Sequence, residues 1–98
     1  MNVNDMKNIL AKKLKEENTY FTKSHISVEK QGESYKIVIK DYEHIYFKMT
    51  LSYDDYFGYE VSIYDSFSDR IIIYVDNKEK YDIEDALIQL GYHIGNTF

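Results

Sequence analysis

From His44 to Tyr53 the chain reads HIYFKMTLSY, an unbroken alternation of apolar and polar residues. Ile45, Phe47, Met49, Leu51 and Tyr53 fall on one face of an extended chain, and His44, Tyr46, Lys48, Thr50 and Ser52 on the other. A period of two is what a half-buried antiparallel strand requires, with one face on a core and one in water. A lone strand leaves its backbone groups unpaired, so this stretch demands neighbours.

The neighbours are legible on both sides. Ile26 and Val28 alternate with Ser27 and Glu29 before a turn around Gly32. YKIVIK then places Tyr35, Ile37 and Ile39 opposite Lys36, Val38 and Lys40. After the turn chemistry of DDYFG, YEVSIYD puts Val61 and Ile63 opposite Glu60, Ser62 and Tyr64. RIIIYVD is the most apolar segment, the pattern of a strand that is central or covered on both faces. Two segments carry the other period. Met6, Ile9, Leu10 and Leu14 recur at three and four residues, which predicts a helix capped by Asn4 and ending near Asn18. Ile83, Ala86, Leu87 and Leu90 do the same, with Asp82 as N-cap, Glu84 and Asp85 in the first turn and Gly91 as the terminating residue. Short connections favour a meander, because parallel pairing needs long crossovers. The expectation is one α+β domain over residues 1–98: an antiparallel meander of about five strands with an N-terminal and a C-terminal helix on one face.

Composition narrows the function classes. With no cysteine there is no disulfide framework and no thiolate metal site. No apolar run reaches membrane-spanning length and the N-terminus lacks a signal-peptide core, so the expectation is a cytoplasmic protein without a membrane partner. Isoleucine, lysine, tyrosine and asparagine supply 40 of the 98 residues against one arginine, a usage that follows AT-rich codons.

Catalytic signatures are missing from the sequence. There is no phosphate-binding glycine loop, no nucleophile elbow and no dinucleotide fingerprint. His25, His44 and His93 show no ligand spacing, and DDYFGYE lacks the spacing of a calcium loop. The expectations are therefore no enzyme, no cofactor and no metal. Lys36, Lys40, His44, Tyr46 and Lys48 form a candidate nucleic-acid face, since aromatics beside lysines can stack bases. Phosphate affinity follows summed positive charge, however, and the net charge is −5, so direct nucleic-acid binding is not expected.

The charge is unevenly divided. Residues 1–48 are net +2 and residues 49–98 net −7. Tyr53–Asp69 alone holds five carboxylates, six aromatics and no basic residue. Tyrosine buries a large area at low entropic cost and keeps a polar tip, and carboxylates around it suit a basic partner. The candidate partner-binding residues are Asp54, Asp55, Tyr56, Tyr59, Glu60, Tyr64, Asp65 and Asp69. Alternate residues on a strand stand roughly 6.7 Å apart, close to the phosphate spacing of an extended nucleic-acid strand.

An acidic, cysteine-free chain of this size that opens MNVNDMKNIL resembles the small phage-encoded inhibitors of the DNA-mimic type, anti-CRISPR and anti-restriction proteins. That resemblance implies an inhibitor, acting as a monomer or homodimer, whose acidic, tyrosine-rich surface blocks the basic nucleic-acid-binding site of a partner protein. An immunity protein or antitoxin neutralising a nuclease toxin would need the same surface.

Overall fold

The computed structural model describes residues 1–41, 44–54, 58–65, 70–74 and 83–97, of which 45, 53–54, 58–61, 63, 65, 70–74 and 97 are described by their backbone. Helix α1 (Val3–Glu16) and a 3-10 turn (Lys23–His25) lead into strands β1 (Ile26–Gln31), β2 (Ser34–Asp41), β3 (His44–Asp54), β4 (Gly58–Asp65) and β5 (Arg70–Tyr74). Helix α2 (Ile83–Thr97) follows. The strands pair antiparallel in the order β1-β2-β3-β4-β5, and the class is α+β.

The alternation in β2 and β3 determines where the core lies. Tyr35, Ile37 and Ile39 pair with Leu51, Met49 and Phe47, so six buried side chains meet on one face. Met6, Leu10 and Leu14 of α1 and Ala86, Leu87, Leu90 and Ile94 of α2 close over that face in a single cluster. Each large aliphatic or aromatic side chain so buried contributes roughly 1.5–3 kcal/mol relative to exposure. The opposite face of the sheet carries Ser27, Lys36, Thr50 and Ser52, all exposed.

Four local expectations are corrected. The N-cap of α1 is Asn2, not Asn4. Asn2 is extended (φ −90°, ψ 170°), and its Oδ1 accepts from the Asp5 N–H at 2.8 Å while Asp5 Oδ2 accepts from the Asn2 N–H at 3.4 Å. An acid three residues on completes this reciprocal box, which Asn4 lacks. Asn4 Oδ1 instead accepts from Lys23 Nζ at 2.6 Å.

Helix α2 does not stop at Gly91 but runs through it to Thr97. Gly91 is needed for a close approach rather than a turn: a Cβ there would lie 2.5 Å from Lys13 Cγ of α1. Asp82, the expected N-cap, lies outside the described residues.

The most apolar segment forms β5, at the end of the strand order and not in the centre. In a meander each strand takes the place its short connection dictates, whatever its hydrophobicity.

The alternation of β3 also breaks. Ile39 pairs with Phe47 but Lys40 with Ile45 and Asp41 with His44, so Tyr46 is the extra residue of a β-bulge. A bulge puts the residues beyond it out of phase with those before it and re-aims the inserted side chain. Tyr46 accordingly packs against the core cluster and meets Phe21 edge-on, with ring centroids 5.5 Å apart. The expected face of Lys36, Lys40, His44, Tyr46 and Lys48 is therefore split: Lys36 and Lys48 stay on the open face, and Tyr46 leaves it.

Candidate functional site

The hairpin of β3 and β4 carries most of the candidate contact residues. Asp54 ends β3 opposite Gly58, Tyr59 pairs with Tyr53, and Glu60 with Ser52. At the far end Tyr64 pairs with Lys48 and Asp65 with Phe47. Asp55, Tyr56 and Asp69 lie outside the described residues. The register divides the rest. Positions 60, 62 and 64 share the register of Ser52, Thr50 and Lys48, the face turned away from the helices. Positions 59 and 65 share the register of the core row. Glu60 and Tyr64 are about 13 Å apart along their strand. The structure thus gathers Asp54, Tyr59 and Glu60 at the turn end of the hairpin and sets Tyr64 and Asp65 at the other end.

At that other end the open face is concave. Lys48, Thr50, Ser62 and Tyr64 line a shallow depression of about 370 Å³ in which Tyr64 and Lys48 are half-buried. Along the same cross-strand row stand Ser27 and Val38. One row over, Glu29 is opposite Lys36, an opposite-charge pair of the kind that contributes a few tenths of a kcal/mol. The surface is broad and polar with a tyrosine and an aliphatic residue set into it, which suits contact with another macromolecule.

A second cluster was not visible in the sequence. The bulge and the chain reversal after α1 bring Tyr20, Phe21, His25, Asp41, His44 and Tyr46 to one end of the sheet. His25 Nδ1 accepts from the Thr22 N–H at 2.9 Å, which leaves the Nε2 proton facing Asp41 Oδ1 at 3.9 Å. The Tyr20 hydroxyl donates to Asp41 Oδ2 at 3.5 Å, and the His44 and Tyr46 rings meet edge-on at 4.4 Å. Tyr20 is pushed up to about 12, first by its hydrogen bond with Tyr46, then by partial burial and by the neighbouring Tyr46 and Asp41 charges. These contacts brace the 3-10 turn against β2. Thr22 Oγ1 lies 2.8 Å from the Ser24 hydroxyl and 3.2 Å from His25 Nδ1, so both hydroxyls join the same network. Among the described residues no group of three or more histidines and carboxylates is placed to hold a metal ion, and no helix is long and apolar enough to cross a membrane. Pairwise spacing could not reveal this cluster, because its members come from three stretches, Tyr20–His25, Asp41 and His44–Tyr46, that meet only in the folded chain.

Comparison with protein-family models, curated proteins and solved structures finds no match to this chain, so its residues alone carry the functional reading.

Proposed function

We propose that this chain is a non-enzymatic inhibitor that binds a protein partner. Its contact surface is the acidic, tyrosine-rich β3–β4 hairpin with the adjoining open face of the sheet. The partner is a protein whose basic surface handles nucleic acid, and the hairpin occupies that surface as a DNA mimic does. The observation that carries this reading is the one-sided architecture: both helices share a core with one face of the sheet, while the open face bears Tyr64 and the register positions of Glu60 and Ser62. The half of the chain that builds β4, β5 and α2 is net −7, which steers a basic partner towards it. The register refines the surface. Asp54 and Glu60 at the turn end form its acidic part, and Tyr64 beside Lys48 its aromatic part.

The test is affinity capture from host lysate with the wild-type chain and with a variant carrying Asp54→Asn, Asp55→Asn, Glu60→Gln and Asp65→Asn. The wild type is expected to retain a nucleic-acid-binding protein and release it as salt rises. The folded variant is expected to lose it. Equal retention of the same protein by the variant overturns the acidic-surface reading.

A further inference from the structure

Beyond the hairpin, the basic half of the chain forms a groove at the C-terminal end of α1. The way α1 ends creates it. Asn18 takes the left-handed conformation (φ 59°), the Asn18 N–H bonds to the Lys15 carbonyl and the Thr19 N–H to the Leu14 carbonyl, both at 3.1 Å. This Schellman closure turns the chain back along the flank of α1. Tyr20 and Phe21 then run beside Ala11, whose short side chain leaves room, and Lys12, Lys15 and Lys23 stand around them. The cavity measures about 560 Å³, within the range of small-molecule pockets.

Two features of the groove select its occupant. The first is clustered positive charge. Lys12 and Lys15 make no ion pair among the described residues, and Lys23 is held by the neutral amide oxygen of Asn4 at 2.6 Å. The nearby acids lie outside the groove. Glu17 is on Lys13 at 3.0 Å, Glu16 and Glu84 border the groove on the other side of Lys12, and Asp41 takes the hydroxyl end of Tyr20. The second is an aromatic step. Tyr20 lies on Phe21 with centroids 4.5 Å apart, and it is 50% exposed while Phe21 is 2% exposed. Three cations around a supported, exposed ring fit a ligand with several negative charges and a planar body.

An extended acidic peptide fits less well. Strand-type recognition needs free backbone donors. Here the N–H groups of Asn18, Thr19, Thr22 and His25 are already bonded. A long nucleic-acid strand is disfavoured by the chain's net charge of −5, which repels each phosphate left outside the groove. We infer that this groove binds a single nucleoside di- or triphosphate, with Lys12, Lys15 and Lys23 on the phosphates and Tyr20 against the base. This inference is independent of the inhibitor reading, which concerns other residues.

The test is an NMR titration of isotope-labelled protein with adenosine 5′-triphosphate at low ionic strength. The amide signals of residues 11–15 and 20–23 are expected to move saturably, with sub-millimolar affinity. A Lys12→Gln/Lys15→Gln variant, altered only at exposed side chains, should bind at least about tenfold more weakly. A Lys36→Gln/Lys40→Gln variant removes the same charge from the sheet and should bind as the wild type does. Tyr20→Leu should weaken binding of the nucleotide and leave binding of inorganic triphosphate unchanged. Absence of saturable movement, or equal weakening by the two lysine variants, overturns the site. Tighter binding of an oligonucleotide of about ten nucleotides, or of a glutamate-rich peptide, overturns the assignment to a single nucleotide.

Discussion

Gly95 of α2 lies against Glu17, the C-cap of α1, so closely that a Cβ on Gly95 would stand 2.6 Å from the Glu17 Cβ. Gly91, one turn earlier, stands in the same relation to Lys13. The two glycines therefore form a flat strip on which the Lys13–Glu17 pair rests, its side chains only 22% and 24% exposed. The two positions differ in what a methyl group would strike. At Gly91 the nearest atom belongs to a flexible lysine stem, whereas at Gly95 it is a Cβ fixed to the α1 backbone.

Gly95→Ala is accordingly expected to destabilise the fold by about 1–3 kcal/mol, the range for forced overpacking. Gly91→Ala should cost less, because Lys13 can change rotamer and alanine adds about 1 kcal/mol of helix propensity. Thermal melts of both variants check the order. For a domain of this size 1 kcal/mol corresponds to roughly 4–8 °C.

The left-handed residue after α1 supplies a second expectation. Asn18→Ala should cost about 1 kcal/mol, since a Cβ is disfavoured at positive φ without a compensating side-chain hydrogen bond. Asn18→Gly should keep or slightly raise stability, because glycine is the usual residue at this helix terminus. Urea unfolding of the pair distinguishes a conformational requirement, met by glycine, from a need for the asparagine side chain.

The two candidate caps separate cleanly. Asn2→Ala removes the side chain that accepts from the Asp5 N–H and should cost about 0.5–2 kcal/mol. Asn4→Ala loses only an exposed contact with Lys23 and should stay within about 0.5 kcal/mol of the wild type. Denaturant midpoints at constant slope provide the comparison.

Alkaline titration tests the Tyr20 cluster. Tyr20 titrates near 12 in the folded protein against 10.0 for an unperturbed tyrosine. A raised folded value means that the unfolded chain loses its proton first. The contribution to stability is thus intact below pH 10 and is lost as pH climbs from there to about 12. The difference in tyrosinate absorbance between wild type and Tyr20→Phe should place this step well above the bulk of the tyrosines. Tyr46→Phe removes the largest cause and should bring Tyr20 down towards 10.

Periodicity alone determined the class and the core. The strict alternation of Tyr35–Ile39 and Phe47–Leu51, and the helical spacing of Met6, Leu10 and Leu14, identified which residues would be buried, because burial of one face is a local demand on every element. The acidic bias of residues 49–98 was equally legible, as it is a property of composition. Tertiary structure decided the rest. The bulge at Tyr46 depends on how β3 pairs with β2, and one inserted residue moved a tyrosine off the open face and into contact with Phe21. Gly91 carries a stop signal when α2 is read alone, and becomes a helix-interior residue because α1 lies against it. The groove beneath Lys12, Lys15 and Lys23 joins two turns of α1 to the chain that reverses below it. Local pattern states which side of an element is buried; only the packing partner states how close it comes and what gathers at the margins.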